Sequence, residues 1–297
     1  MTFHNYIRAV GTGPKSNREL TENEILDCME QILEQNPKTE QIASFLLGWR
    51  VRLETNEELK SSLNVFDKYI KKVDVPNSIE LGYPYDGKAD NPYLFPLFGK
   101  YLKKFDLNIV LSGDYLQPAK HGITVKDIAN NHKLDDNIYF FDRKDYFKEL
   151  SDLSEIRNIL GLRTAFNTLE KLLNPANSEY AITSAFHKPY VNKYNDIFAS
   201  RYKHLVIVKG NEGTPEIFSK CKYWINDNDT IKEYIIDPEY FGVKYKKSWD
   251  RISLEESLDS INNPSDELLK LVKLNVSLLL VTAQKAKNVE EGFEMLS

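Results

Sequence analysis

Apolar residues recur at helical spacing along the first seventy positions of the chain. Thr21 precedes the first run and Glu24 follows three residues later, which is the pattern of a helix capping box. Further runs begin near Thr39 and Glu57. In the first run the apolar residues that share one helical face are Ile25, Met29, Ile32 and Leu33. This spacing predicts a bundle of helices over residues 1–72.

The pattern changes after the polar segment 71–76, where short apolar runs begin to alternate with helical stretches. Three apolar runs are predicted strands: 109–111, 180–183 and 205–208. Helices are predicted at 93–105, 254–258 and 268–289, and the basic, aromatic segment 241–249 is either strand or loop. The predicted fold class is α/β, with a small N-terminal helical bundle domain (1–72) and a larger α/β domain (73–297) that has a central sheet flanked by helices.

Residues 155–175 read EIRNILGLRTAFNTLEKLLNP, a helical run that turns at Gly161 and a second run that ends at Asn174-Pro175. This segment resembles the IRxxLGxRTxFNxLxxLxNP segment of the anthranilate phosphoribosyltransferase and nucleoside phosphorylase superfamily, glycosyltransferase family 3. Residues 20–59 resemble the helical domain of the same superfamily. The resemblance implies substrates bound between a helical and an α/β domain, and a homodimer formed through the helical domain.

Two motifs of the resembling family are altered in this chain. Residues 82–92 read GYPYDGKADNP where the family has GTGGDxxxTxNxST, a glycine run that wraps a diphosphate. Proline supplies no N–H donor and tyrosine fills space, so binding of phosphoribosyl pyrophosphate (PRPP) in the family manner is not expected. In the loop 209–216, Pro215 replaces an aspartate and leaves Glu216 alone, and one carboxylate is a poor magnesium site. No metal site and no cofactor are predicted, and Mg²⁺ is expected only if transferase activity is retained.

Some ligand-binding residues of the family are still present. Lys120-His121-Gly122 matches a family turn suited to a phosphate or a ribose, and Arg157 corresponds to the arginine beside the acceptor carboxylate. The residues that the resemblance assigns to ligand or phosphate binding are Lys120, His121, Gly122, Arg157, Arg163, Asn167, Gly210 and Glu216. No catalytic residue is assigned.

The segments 167–175, 185–190 and 210–213 resemble a divergent bacterial branch of this family, which is dimeric and is associated with non-specific binding of DNA and RNA. Basic residues with interleaved aromatic side chains, as in 244–251, suit phosphate contacts and base stacking. The candidate nucleic-acid contacts are Lys100, Lys103, Lys104, Lys126, Lys244, Lys246, Lys247 and Arg251. The leading hypothesis is therefore nucleic-acid binding. The alternatives are a glycosyl or phosphoribosyl transferase acting on an unidentified acceptor, which binds a phosphate-bearing small molecule, and a dimeric scaffold without a small ligand.

Composition narrows these hypotheses only slightly. The 297 residues are 41% hydrophobic and 28% charged, which is ordinary for a soluble globular protein. A net charge of −5 argues against a globally basic nucleic-acid binder but leaves room for a local basic patch. Cys28 and Cys221 are isolated, so neither a disulfide framework nor a zinc site is expected. The N-terminus has no secretory signal pattern and no apolar run is long enough to span a bilayer, so the expectation is a cytoplasmic protein with no membrane contact.

Overall fold

Four helices begin the chain in the computed structural model, which describes residues 2–118, 120–227 and 230–296. They are α1 (Phe3–Gly11), α2 (Glu22–Leu33), α3 (Thr39–Arg52) and α4 (Asn56–Tyr69). The predicted capping box is confirmed: Thr21 accepts from the Glu24 N–H, and the Glu24 carboxylate accepts from the Thr21 N–H. A buried carboxylate ties the bundle together, because Glu58 accepts from the Leu20 N–H at 2.9 Å and from the Trp49 indole N–H at 3.0 Å.

The larger part of the chain is built on a mixed sheet that has seven strands within the described residues. The strands are β1 (Ser78–Gly82), β2 (Asn108–Gly113), β3 (Ile138–Asp142), β4 (Tyr180–Ser184), β5 (His204–Val208), β6 (Cys221–Asp227) and β7 (Thr230–Ile236). Their order is β3-β2-β1-β4-β5-β6-β7. The first five are parallel, whereas β6 and β7 are antiparallel to their neighbours. The α/β fold class is confirmed.

Helices connect the strands, and three more follow β7 within the described residues. They are α5 (Gly99–Leu102), α6 (Val125–Asn131), α7 (Arg143–Tyr146), α8 (Lys148–Asp152), α9 (Ser154–Leu160), α10 (Phe166–Leu169), α11 (Lys188–Phe198), α12 (Leu254–Asn262), α13 (Asp266–Thr282) and α14 (Val289–Glu294). The prediction of a single helix over 93–105 is wrong, because a 3₁₀ turn lies on each side of α5. The helical segment ends at Asp106, whose backbone is left-handed. The predicted helix 268–289 is two helices separated at 283–288.

Each face of the sheet packs against its own helical layer. Because side chains alternate across a strand, Ile182 and Val206 face α13 while Ala181 and Leu205 face the helical bundle. The core of the bundle also includes apolar residues between Tyr146 and Leu173, although this segment lies within the predicted second domain. The helical part is therefore assembled from two stretches of the chain.

A fully buried charge network holds that second stretch against the sheet. The Glu170 carboxylate accepts two hydrogen bonds from Arg157, at 2.7 and 2.8 Å, and a third from Arg143. Arg143 also binds Asp114, which directly follows β2. Burial alone raises the pKa of the Glu170 carboxyl, but the two arginines outweigh it and hold the pKa below its usual value. Glu170 is thus ionised and joins α7, α9 and α10 to the carboxyl end of the sheet.

In residues 2–118, 120–227 and 230–296, no helix combines the length and the apolar character that crossing a bilayer requires. Cys28 and Cys221 are both buried, and they do not form a disulfide with each other. Burial raises the pKa of the Cys221 thiol to about 12.

Candidate functional site

A cleft lies where the strand order reverses. In a parallel sheet of order β3-β2-β1-β4-β5, the connections after β1 and β4 leave in opposite directions and open a crevice at the carboxyl ends of the strands. The cleft has a volume of about 340 Å³ and is lined by residues 84–86 after β1 and 184–187 at the end of β4. Its opposite wall comes from α3, α10 and α11. The charged and aromatic side chains of the lining include Arg50, Asp86, Arg163, Lys171, Phe186 and Tyr194.

Asp86 is the acidic centre of this cleft. Its carboxylate is buried and forms an ion pair with Arg163, whose side chain is 49% exposed at the mouth. The Lys120 ammonium lies 3.3 Å from the Asp86 Oδ1 and also donates to the Gly87 carbonyl at 3.1 Å. Burial lowers the pKa of Lys120, although Asp86 works in the opposite direction. Two cations therefore share one carboxylate, and the more exposed of them, Arg163, faces solvent.

Lys171 is a buried cation on the floor of the cleft. Its Nζ donates to the Ser184 carbonyl at 2.8 Å and to the Ser184 Oγ at 3.2 Å, and it lies 5.4 Å from the centre of the Tyr194 ring. Burial lowers the pKa of Lys171 to about 7, and the neighbouring Lys120 contributes to the same shift. At neutral pH this side chain is therefore only partly protonated.

Glu212 fills an anion site made by the backbone. The N–H groups of Ala89, Asp90 and Asn91 point at its carboxylate, with distances of 2.6, 2.8 and 3.1 Å. The Asn91 side-chain amide adds a fourth contact at 3.2 Å. Successive backbone N–H groups of this kind form a concavity that favours an anion. Glu212 itself has a left-handed backbone with φ +56°, which turns its side chain into this position.

Glu216 is also enclosed by donors. Its carboxylate accepts from the Tyr83 hydroxyl at 2.7 Å, from the Leu94 N–H at 2.7 Å and from the Lys88 ammonium. Lys88 and Glu216 are both buried, with exposures of 0 and 1%. The pKa of the Tyr83 hydroxyl lies well above its usual value because of burial and the adjacent Glu216. This carboxylate has little remaining capacity for a ligand.

The loop that carries these groups is held from two sides. Gly122 packs so closely on Lys88 that an added Cβ would lie 2.4 Å from the Lys88 carbonyl oxygen, so only glycine fits there. On the other side, the Trp249 indole donates to the Asp90 carbonyl at 2.8 Å, and Arg251 donates to the His121 carbonyl at 2.6 Å. The segment 249–252 thus straps the loop that contains Asp90 to the turn that contains His121.

Comparison with known proteins follows the same division of the chain. The sequence profile of the glycosyl transferase family's a/b domain matches residues 112–297, and that of its helical bundle domain matches residues 4–66. The chain belongs to the glycosyl transferase family.

Relatives within the glycosyl transferase family are distant but span almost the whole chain. Anthranilate phosphoribosyltransferase of Caldicellulosiruptor saccharolyticus is 27% identical over 94% of this chain and 90% of its own, and that of Metallosphaera sedula is 25% identical over 93% and 86%. Among solved structures, the Saccharomyces cerevisiae anthranilate phosphoribosyltransferase in complex with PRPP and Mg superposes with a TM-score of 0.79 at 17% identity, covering 99% of this chain and 92% of that one. The Thermus thermophilus enzyme gives 0.78 at 16%, with the same coverage. At these identities the structural likeness concerns the fold.

The structure separates the family-derived ligand residues into two groups. Arg163 and Asn167 line the cleft, and Lys120 reaches it through Asp86. His121 is exposed beside Gly122, which serves loop packing. Like His121 and Gly122, the residues of the second group lie outside the cleft lining; they are Arg157, Gly210 and Glu216.

Each residue of the second group has a packing reason for its position. Arg157 is 0% exposed and bound to Glu170, and the role beside an acceptor that the resemblance implies for it stays a prediction. An added Cβ at Gly210 would lie 2.0 Å from the Thr214 carbonyl oxygen, which makes Gly210 a turn residue. Glu216 is closed off by Lys88 and Tyr83.

None of the candidate nucleic-acid contacts is among the residues that line the cleft, and several are already paired. Lys103, Lys126 and Lys247 lie 2.6, 2.9 and 3.5 Å from aspartate oxygens. The remaining candidates are exposed, and some of them make other contacts within the protein. They are Lys100, Lys104, Lys244, Lys246 and Arg251. Their role in nucleic-acid binding stays a prediction. The ion pairs of three of them with aspartates weaken it.

Sequence reasoning missed Arg50, Lys171 and Glu212 as site residues. Lys171 carried a usable signal, because it interrupts the apolar residues Leu169, Leu172 and Leu173 near the end of a helical run. Arg50 and Glu212 carried none, since a charged residue at a helix end or in a loop is ordinary. Their positions depend on contacts between distant parts of the chain.

Replacing Lys171 with methionine is expected to change how stability depends on pH. In the unfolded chain the lysine pKa is about 10.4, whereas in the fold it is about 7, so between these values the unfolded state binds one more proton. The buried lysine therefore lowers the stability of the wild type most below pH 7. Above pH 7 the free energy of unfolding of the wild type rises by up to about 1.4 kcal/mol per pH unit. The free energy of unfolding of Lys171→Met minus that of the wild type should fall from pH 7 to pH 9 in urea titrations.

The exposed Lys148 provides the control for this measurement. Its pKa is raised by Asp152, so Lys148→Met removes a group that titrates above the measured range and should give a constant difference. A pH-independent difference for Lys171→Met as well would contradict the low pKa.

Proposed function

We propose that this phosphoribosyltransferase-like protein binds nucleic acid at the mouth of its cleft and does not use PRPP. The observation that carries the proposal is the local charge of the cleft. Among the described residues that line it, Arg50 and Arg163 are cationic and Lys171 is partly protonated near neutral pH, whereas the single carboxylate, Asp86, is buried and paired with Arg163. In a chain with a net charge of −5, this local excess of positive charge favours a polyanionic ligand.

The backbone anion site of residues 89–91 is occupied by Glu212, which supports the proposal that the protein does not use PRPP. By the resemblance, residues 82–92 stand where relatives wrap a diphosphate. In this chain Glu212 satisfies the N–H groups of Ala89, Asp90 and Asn91. A diphosphate has to displace a carboxylate that makes four hydrogen bonds, and the like charges of the two anions oppose its approach.

The surroundings of Glu216 argue against a magnesium cofactor. A magnesium ion needs several oxygen ligands in octahedral geometry, and waters usually complete the set. Glu216 instead faces the ammonium of Lys88, and no group of three or more metal-binding side chains occurs among the described residues. We therefore assign no cofactor. The yeast enzyme was solved in complex with PRPP and Mg, and that metal belongs to the yeast protein.

A transferase acting on an unidentified acceptor is the second candidate. It is favoured by the position of Arg163 and Asn167 on the cleft, together with family membership and relatives that are named anthranilate phosphoribosyltransferase. Such an enzyme binds a phosphate-bearing small molecule in this cleft. It requires Glu212 to leave the backbone amides during each turnover.

A homodimer formed through the helical bundle is the proposed assembly. Val51 and Leu53 at the end of α3 are 73% and 64% exposed, and Leu47 is 39% exposed. A groove of about 720 Å³ between α1 and α3 adjoins Leu47 and Val51. Exposed apolar residues that gather on one helix are typical of a subunit interface.

A cytoplasmic location remains the expectation from the sequence.

Replacing Arg163 with glutamine tests nucleic-acid binding at the cleft. The wild type is expected to bind a fluorescent oligonucleotide with an affinity that falls steeply with salt, because binding releases condensed counterions. Arg163→Gln should weaken binding and reduce the slope of log Kd against log salt by about 1. Lys60→Gln is the control and should have no effect, since Lys60 is exposed on α4 and does not line the cleft. Salt-independent binding, or none at micromolar protein, would rule the proposal out.

Thermal shift with PRPP and Mg²⁺ distinguishes the two candidate functions. Under our proposal the wild type shows no increase in melting temperature at millimolar PRPP, because Glu212 occupies the anion site. Glu212→Ala should show an increase, since free backbone N–H groups bind the diphosphate and a tight ligand stabilises by mass action. Glu239→Ala removes an exposed carboxylate elsewhere and serves as the control. A clear shift in the wild type would support the transferase instead.

Replacing Val51 with glutamate tests the assembly. A charge placed in a buried apolar interface is costly, so Val51→Glu should have the mass of one chain in light scattering where the wild type has the mass of two. Val73 is 61% exposed on the linker after α4, and Val73→Glu should leave the dimer intact. A monomeric wild type would refute the proposed interface.

A further inference from the structure

Phe186 is a large aromatic side chain at an unusual position. It lies two residues after the end of β4, yet 65% of its surface is exposed. His187 contacts it edge to face, with ring centres 4.8 Å apart. The Lys209 ammonium lies 5.6 Å from the centre of the Phe186 ring. These two contacts leave most of the Phe186 surface open to a ligand.

The same phenylalanine separates two concave sites. On one side it lines the cleft, and on the other it lines a groove of about 460 Å³ whose floor is the loop 210–212 and the start of β6. The groove presents three lysines, Lys209, Lys220 and Lys222. Lys220 and Lys222 have carboxylate partners, Asp237 at 3.0 Å and Glu233. Lys209 is exposed and contacts Phe186, so it is the cation best placed for an incoming phosphate.

Cations therefore lie on both sides of an exposed ring. Arg163 marks the cleft side, and Lys209 marks the groove side. A chain of phosphates that runs from the cleft to the groove passes over Phe186. Aromatic side chains between cationic grooves are the arrangement with which proteins bind single strands, because each unstacked base offers a free face.

A duplex does not suit this arrangement. Its bases are stacked on one another and paired, so neither face is available to Phe186 unless the helix is opened at a cost of a few kcal/mol per base. Single strands carry the same phosphate charge without that cost. The Phe186 ring thus distinguishes single-stranded from double-stranded nucleic acid, which the cations alone cannot do.

We infer that the cleft and the Lys209 groove form one binding track for single-stranded nucleic acid, with Phe186 as the stacking platform between them. This inference rests on the nucleic-acid binding proposed above, and it specifies the form of the ligand and the residues that select it. Phe186 contacts the base, and Lys209 contacts the phosphate that follows it.

Fluorescence anisotropy with a single strand of about 12 nucleotides and with the duplex of the same sequence tests the track. Phe186→Ala should weaken single-strand binding about tenfold, within the 1–3 kcal/mol that stacking of one base contributes. The same variant should change duplex binding by less than about twofold. Phe186→Trp should restore single-strand affinity, because the larger ring also stacks. Lys209→Gln should lower the salt slope for the single strand by about 0.7.

Tyr240 provides the matched control, since it is an aromatic residue that is 77% exposed and lies outside both sites. Tyr240→Ala should leave single-strand binding unchanged. If Phe186→Ala binds single strands as well as Tyr240→Ala does, the track is refuted, while the effect of Arg163→Gln can still uphold nucleic-acid binding. Equal loss of single-strand and duplex binding in Phe186→Ala would also refute it. Absence of any binding by the wild type would remove the proposed function and the track together.

Discussion

The buried carboxylate of Glu170 is the interaction on which the arrangement of the cleft depends. Two arginines converge on it, and one of them, Arg143, also reaches Asp114 at the end of β2. Charges taken out of water are stable only when they are closely paired, so this network permits one relative position of α7, α9 and α10 against the sheet. Arg163 and Lys171 lie in the same segment as Glu170, and the network thereby sets where these cations stand in the cleft.

Side chains of the chain itself fill positions that suit charged ligands. The Glu212 carboxylate takes the place of an anion on three backbone N–H groups, and the Lys88 ammonium faces Glu216 as a cation would. Both contacts balance the local charge within the chain itself. At the mouth of the cleft, by contrast, Arg163 and Lys120 share the single carboxylate of Asp86, and this difference links the packing of the loops to the proposed function.

Much of the architecture was predictable because it follows from local chemistry. The capping box at Thr21 and the turn at Gly161 with φ +68° each involve residues a few positions apart, and the structure confirms both. The helix 93–105 failed because its apolar spacing is compatible with 3₁₀ turns as well as with an α-helix. The strands β1, β3, β6 and β7 escaped prediction. In β7 most residues are exposed, which hides the alternation that marks a strand.

By itself, the sequence determined the class of the fold, the family resemblance and the loss of the glycine run in residues 82–92. Only the tertiary structure decided which charges are available to a ligand. Arg157 and Arg163 are six positions apart and chemically alike, yet one is enclosed with Glu170 and the other is half exposed beside Asp86. The physical reason is that the energy of a charge depends on its burial and on partners brought from distant parts of the chain, and neither is recorded in local sequence.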